Sequence, residues 1–150
     1  MGMSTIFFVR HGAYLGKELN QQGIDQSMNA GKTIMTKLSE RAWSEVKWIL
    51  VYYSQAVRAK QTAEIIADIL GKDYAISKQE ETGLLGEGNS GSYAPNKRQF
   101  IQDYREHVAS NPNDVVIAVS HEPILDDFGT ILWINDLRYM DNGKVVEVTL

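Results

Sequence analysis

Three short apolar runs set most of what this chain can become. Thr5 to Val9 (TIFFV), Trp48 to Tyr53 (WILVYY) and Val115 to Val119 (VVIAV) are unbroken and rich in β-branched and aromatic residues. Such runs read as strands, and a strand that is apolar at every position has both faces covered. Helical spacing fills the intervals between them. Over 20–40, Ile24, Met28, Gly31, Ile34 and Leu38 recur three and four residues apart, with Asn20 placed as the N-cap. Over 57–70, Ala59, Ala63, Ile66 and Leu70 share a face, and Gly71 stands where the helix should close. Buried strands that alternate with helices predict an α/β fold, a three-layer α/β/α arrangement with a mostly parallel central sheet.

The remaining stretches fill in this outline. A short strand is expected near Tyr74 to Ser77. Residues 82–95 (TGLLGEGNSGSYAP) break all periodicity and predict a long loop, a class of segment that often carries function. Residues 96–110 return to helix, which Asn111-Pro112-Asn113 ends. A further helix is expected to start at Pro123, since proline suits a first helical turn. The tail reads as two strands joined by Asp141-Asn142-Gly143, a hairpin signal. No repeat, low-complexity tract or linker divides the chain, so residues 1–150 are expected to form one domain.

Composition removes several function classes. The formal net charge is −4, without the broad basic field of a nucleic-acid binder, so positive charge has to be local. There are no cysteines, which excludes disulfides, thiolate metal sites and cysteine nucleophiles and fits a reducing compartment. The N-terminal apolar run is too short for a signal sequence, and no stretch has the length of a membrane span. A cytoplasmic protein with neither nucleic acid nor membrane as partner is expected. The tail strands offer edges to a second subunit, and nothing in the sequence fixes the oligomeric state.

Ligands of open α/β sheets bind beyond the carboxyl ends of the strands. Arg10-His11-Gly12 follows the first apolar run, Ser54 to Arg58 the second, and Ser120-His121-Glu122-Pro123 the third. Two arginines and two histidines therefore converge on one edge, with Gly12 letting the backbone bend close to a ligand. The set suits phosphate. Arginine forks grip phosphate oxygens in pairs. A neutral imidazole is a competent nucleophile toward phosphorus, and a protonated one neutralises charge as it develops. No metal or other cofactor is required, because the protein supplies the positive charge.

These segments resemble the histidine phosphatase superfamily, also called the phosphoglycerate-mutase-like family. RHG at 10–12 matches its signature tripeptide. LNQQGIDQSMNAG at 19–31 resembles its first helix, SQAVRAKQTAE at 54–64 matches its S-x-x-x-R-A-x-Q-T-A-E pattern, and SHEP at 120–123 matches its second-histidine segment. The order and spacing agree from residue 5 to about residue 123. The resemblance implies that His11 becomes phosphohistidine, that Arg10 and Arg58 clamp the phosphoryl group, and that His121 is the second pocket histidine. The family also uses an acid that protonates the leaving group and then activates water. Glu87, in Leu-Gly-Glu-Gly, resembles that segment and is preferred, with Glu81 as its competitor.

The sequence departs from the pattern at R-H-G-A-Y, where the family often has R-H-G-E-T, and at Lys17, where an asparagine is usual. An R-H-G-x-Y start resembles the branch that acts on proteins, and the short chain resembles the small bacterial phosphohistidine phosphatases. Mutase activity is not expected, since mutases proper are larger. The function expected is a metal-independent phosphatase for phosphate monoesters or phosphoramidates, phosphohistidine and phosphoserine or phosphothreonine on proteins among them. Its partner is then a phosphorylated protein or a small phosphate ester. The alternative is a catalytically weak module that binds phosphorylated partners.

Other residues have plainer readings. His107 sits near a helix end, where it meets the helix dipole. Glu122 reads as a first-turn helix charge, Lys17 and Lys60 as surface residues near the substrate, and Trp48, Tyr52 and Tyr53 as core. Tyr14 and Tyr93 are candidates for the pocket mouth.

Overall fold

The computed structural model describes residues 5–40, 46–86 and 93–150, with side chains of the last segment from residue 97 onward. The elements run β1 (Thr5–Arg10), β2 (Tyr14–Leu15), β3 (Glu18–Leu19), α1 (Gln21–Ser39), β4 (Ile49–Tyr53), α2 (Val57–Leu70), β5 (Ile76–Glu81), α3 (Tyr93–Ser110), β6 (Val115–Ser120), α4 (Glu122–Leu132) and β7 (Val145–Thr149). The main sheet has the order β5-β4-β6-β1-β7. All its neighbours are parallel except β7, which runs against β1. This is the mostly parallel three-layer α/β fold that the apolar runs predict. Among the described residues no helix is long and apolar enough to cross a membrane.

Alternation along the three central strands splits the core into two layers. Phe7, Val9, Ile49, Val51, Ile117 and Val119 pack against α1 and α2. Ile6, Phe8, Leu50, Val116 and Ala118 pack against α3 and α4, where Phe128 meets Phe8 at 4.9 Å between ring centres. Burial on both faces is why these strands lack a polar alternation. Residue pairing also levels their ends: Arg10 lies opposite Ser120, and Val9 and Tyr53 both lie opposite Val119. Whatever follows β1, β4 and β6 therefore emerges at one height on one edge.

Helix α1 forms where its periodicity places it. Asn20 caps it by accepting the Gly23 N–H at 2.8 Å. Its buried face is drawn differently from the expected one: Met28 is exposed, and Gly23, Ser27 and Ala30 carry the contact instead. Small residues win because α1 lies close against its neighbours. A Cβ on Gly31 would stand 2.8 Å from Ile69 of α2, and one on Gly23 would stand 1.9 Å from the Ala13 carbonyl oxygen.

Several expectations shift. Trp48 precedes β4 and is 41 % exposed, outside the core, while Tyr52 and Tyr53 are half-buried. Strand β5 starts later than expected and runs to Glu81. Its exposed, charged residues mark it as the edge of the sheet. Residues Gly83–Leu85 form a 3-10 turn inside the expected loop, and α3 begins at Tyr93. The Asp141 to Gly143 turn forms, with Gly143 at φ 77° and the Lys144 N–H donating to the Asp141 carbonyl. It leads into one strand, β7, and not between two. The chain before it is a 3-10 turn at Asn135–Leu137 followed by Tyr139 at φ 55°. Its Met140 carbonyl is spent on Arg10 instead of a strand partner.

The contact at Gly23 decides a stability experiment. Alanine in a helix interior is normally favoured over glycine by about 0.5–1 kcal/mol. Here the added Cβ meets fixed backbone, so Gly23→Ala is expected to destabilise by about 2 kcal/mol. Urea unfolding measures the sign directly.

Candidate active site

The three levelled strand ends gather Arg10 and His11 after β1, Arg58 in the first turn of α2, and His121 between β6 and α4. Together with Tyr14, Glu122, Pro123 and Asp126 they line an open pocket of about 370 Å³. All four residues expected to form the phosphate site thus share one cavity. His11 and His121 are buried, and their rings meet edge to face with centres 4.9 Å apart.

His11 is held in one tautomer. Its Nδ1 lies 2.8 Å from the Gly12 carbonyl, which can only accept, so Nδ1 carries the hydrogen. Nε2 then has a lone pair, and Arg58 Nε–H donates to it at 3.3 Å. Burial, above all, holds the His11 pKa down to about 4 against an ordinary 6.5. The Gly12 hydrogen bond opposes the shift, while His121, Arg58 and Arg10 add to it. The imidazole is neutral at neutral pH, with Nε2 facing the guanidinium that would grip a phosphoryl group.

The loop that presents His11 is fixed by backbone proximity and hydroxyl bridges. A Cβ on Gly12 would stand 2.4 Å from the Gly23 carbonyl oxygen. Gly12 therefore serves close packing against α1, not close approach to a ligand. Its N–H donates to Thr62 Oγ1, whose own hydrogen goes to the Arg58 carbonyl. Ser27 Oγ donates to the Gly23 carbonyl at 2.8 Å and lies 3.2 Å from Thr62 Oγ1. Gln26 accepts the Ala13 N–H, and Gln61 accepts the Leu19 N–H of the β2–β3 hairpin. One side chain, Thr62, so joins the His11 loop to the helix that carries Arg58.

The other cation is braced from the opposite side. Arg10 Nη1 donates to the Met140 carbonyl at 2.7 Å and pairs with Glu122 at 3.1 Å. Asp126 accepts the Tyr139 N–H, which holds the left-handed residue beside that carbonyl. Glu122 is thus more than a first-turn helix charge. Tyr14 does sit at the pocket mouth, with its ring beneath Arg58 at 4.2 Å and edge-on to His11. His121 has Nε2 at 2.7 Å from Ser54 Oγ. Burial, then Arg58 and Arg10, hold its pKa down to about 4 as well.

Of the candidate acids, Glu81 is described and does not join this group. Glu81 ends the edge strand, exposed, and is not among the pocket residues. Glu87 and the side chain of Tyr93 lie outside the described residues. Lys17 and Lys60 are exposed. His107 pairs with buried Asp114 at 2.7 Å, away from the pocket. Sequence reasoning missed Ser54, Glu122, Asp126 and Met140 as site residues. Ser54 heads the motif that contains Arg58, and Glu122 adjoins His121. Met140 acts through its backbone and leaves no signal in the sequence.

The family model of the histidine phosphatase superfamily (branch 1) matches residues 6–114. The chain belongs to the histidine phosphatase superfamily. The match stops short of His121, whose place in the site rests on the geometry above. Solved structures share the superfamily fold at low identity. A phosphoglycerate mutase from Bacillus anthracis str. Sterne is 15% identical with a TM-score of 0.76, over 99% of this chain and 88% of that one. A SixA protein of Agrobacterium tumefaciens assigned as a phosphohistidine phosphatase is 15% identical with a TM-score of 0.63, over 97% and 91%. A phosphoserine phosphatase mutant from Entamoeba histolytica in complex with phosphoserine is 15% identical with a TM-score of 0.60, over 97% and 90%. No curated protein matches the sequence.

The two depressed histidines make stability depend on pH. Between 6.5 and about 4 the unfolded chain binds protons at these positions that the folded chain refuses. Stability is therefore intact above 6.5 and falls as pH drops through that window. Urea midpoints should show the wild type losing about 5 kcal/mol more, between pH 7 and 4.5, than a His11→Gln/His121→Gln double variant. Equal losses would mean that neither imidazole is held neutral.

Proposed function

We propose that this protein is a metal-independent phosphatase working through a covalent phosphohistidine at His11, carried by one domain over residues 1–150 in the cytoplasm. The observation that carries this reading is the His11 tautomer: Nδ1–H is tied to the Gly12 carbonyl, and the Nε2 lone pair lies under Arg58. Nε2 attacks phosphorus and the bond from phosphorus to the leaving oxygen or nitrogen breaks. Positive charge appears on the ring as the P–N bond forms, and the Gly12 carbonyl stabilises it through Nδ1–H. Arg58 and Arg10 take the phosphoryl oxygens. His121 is drawn toward its protonated form by the arriving dianion and donates to a third oxygen. Water then attacks phosphorus, inorganic phosphate departs and His11 is restored.

The leaving group takes its proton from a carboxylic acid that afterwards accepts one from water. We assign this role to Glu87, with Glu81 as the competitor. Support comes from the chain just before it: Thr82 N–H donates to the Tyr53 carbonyl, Leu85 accepts the Ser120 hydroxyl, and Gly86 packs on Gln55. That path leads from the edge strand back toward the ends of β4 and β6. The substrates proposed are phosphate monoesters or phosphoramidates, on proteins or on small molecules. Phosphohistidine and phosphoserine or phosphothreonine belong to this class, and fold relatives include enzymes named for the first two. The alternative, a phosphate-binding module, draws on one observation. The two carboxylates in the pocket, Glu122 and Asp126, are already engaged by Arg10 and by the Tyr139 N–H. A phosphoramidate weakens that objection, because its nitrogen leaving group needs less help.

Size does not set the protein apart from mutases, since it covers 88% of the Bacillus one. Transfer of phosphate to water and not to a sugar acid is the distinguishing result. The expected outcome is hydrolysis of para-nitrophenyl phosphate with chelator present, abolished by His11→Ala and reduced about 100-fold or more in kcat/KM by Arg58→Ala. Glu87→Gln should slow phenyl phosphate more than para-nitrophenyl phosphate, because the poorer leaving group needs the proton. If Glu81→Gln shows that pattern instead, the acid is Glu81. A wild type inert toward both esters and toward a phosphoramidate would overturn the enzyme and leave the binding module.

A further inference from the structure

The second histidine of the pocket is gripped by a residue to which the mechanism above gives no task. Ser54 follows β4 directly and is fully buried, with its Oγ 2.7 Å from Nε2 of buried His121. Its N–H donates to the Val119 carbonyl at 3.2 Å. The pairing of β4 with β6 therefore sets the height of this hydroxyl, two residues before His121. We infer that Ser54 is a positioning residue: its hydroxyl fixes the His121 ring through Nε2 and serves the neutral and the protonated ring alike. The inference rests on the phosphoryl-transfer reading and assigns within it what lets His121 change charge while buried.

A hydroxyl is both donor and acceptor. Toward neutral His121 with hydrogen on Nδ1, Ser54 O–H donates to Nε2. When the ring takes a proton, Nε2–H donates to Ser54 Oγ. The proton goes onto Nε2, the hydroxyl turns from donor to acceptor, and Nε2 keeps its partner in both states. Alanine would strand the Nε2 lone pair of the neutral ring and the Nε2–H of the charged one, and because the charge-assisted bond is the stronger, the loss falls more on the charged form.

The surroundings make this matter. The His11 ring faces His121 from the loop after β1, and the Arg10 and Arg58 cations oppose a charge there. On α4, Glu122 is committed to Arg10, and Asp126 to the Tyr139 N–H. Tyr14 adds a ring at the mouth, stacked under Arg58. With the nearby carboxylates engaged, the bound dianion supplies the negative charge that favours the imidazolium. Ser54 determines whether the ring can accept that charge without an unmatched buried group.

The test follows His121 by NMR titration, free and with inorganic phosphate, in wild type and in Ser54→Ala, alongside kcat and KM for para-nitrophenyl phosphate. Phosphate should raise the wild-type His121 midpoint from about 4. In Ser54→Ala that rise should shrink by about one pH unit or more, with kcat down about 10-fold and KM little changed. Ser54→Thr, which keeps the hydroxyl, should recover the rise. A wild type whose His121 midpoint ignores phosphate defeats the phosphoryl-transfer reading and this inference with it. A wild type that responds, beside a folded Ser54→Ala that responds equally and keeps its kcat, defeats the inference alone.

Discussion

Where Gly12 crosses the first turn of α1, its Cα has no room for a substituent, because a Cβ would lie 2.4 Å from the Gly23 carbonyl oxygen. The reciprocal contact is tighter still, with 1.9 Å from a Gly23 Cβ to the Ala13 carbonyl. Two backbones in direct contact leave the loop after β1 little freedom. Its hydrogen bonds are then spent in fixed directions: the Gly12 N–H to Thr62, the Ala13 N–H to Gln26, and the Gly12 carbonyl to His11 Nδ1. The last of these places the ring hydrogen on Nδ1 and the lone pair on Nε2. A net hydrogen bond contributes about 1 kcal/mol, whereas a stranded buried partner costs about 1–3 kcal/mol. The asymmetry makes the loop hard to displace in any direction. Thr62 carries the same constraint into α2, since the oxygen that accepts Gly12 N–H also bonds the Arg58 carbonyl.

Such rigidity has an electrostatic consequence. Arg10 and Arg58 stand beside two imidazoles in a pocket that is partly closed to water, and burial already disfavours charge on either ring. Both rings answer by staying neutral, which is the cheapest way to keep four nitrogen-rich side chains together. The pocket is left with two fixed cations and two groups able to take a proton. A phosphate dianion matches the fixed charge and raises the affinity of the rings for protons. Glu122 offsets part of the Arg10 charge in advance, and no such pair forms at Arg58 among the described residues. Glu122 pairs with Arg10 on the side where the Met140 carbonyl also binds, and Arg58 is stacked on Tyr14 with its Nε turned to His11.

Much of this was legible in the chain. Three unbroken apolar runs predicted the parallel sheet, and the residues just past them predicted which side chains meet, because a parallel sheet levels its strand ends. Gly12 was legible as a requirement but for another reason: the demand comes from Gly23 of α1, and the hydroxyl that completes the loop lies fifty residues on from Gly12. Met28 and Trp48 were misplaced because spacing reports a face and not which neighbour covers it. Small residues took the tight α1–α2 contact, and Trp48 fell one position before the buried strand. Ser54 was hidden by its ordinariness, since a serine after a strand reads as a turn until a histidine from another strand is seen to face it. The tail misled most. Its turn chemistry is real, but the segment before Asp141 backs Arg10 with a carbonyl, and a carbonyl is present at every residue.

The path after β5 separates the parts of the site that geometry holds from the part that the leaving group would meet. Strand β5 is two positions from β6 in the sheet, so a side chain at its end, such as Glu81, starts far from the cluster of cations. The chain then turns back at once. Thr82 caps the 3-10 turn by accepting the Leu84 N–H, Leu85 is buried with its carbonyl on Ser120, and Gly86 rests on Gln55 in the loop after β4. Ser120 and Gln55, the anchors outside this turn, lie at or next to strand ends that also carry His121 and Arg58. The pocket residues and the path of the chain as far as Gly86 are thus set by the same levelled edge. The same fold is shared at 15% identity by proteins named for a mutase and for phosphatases.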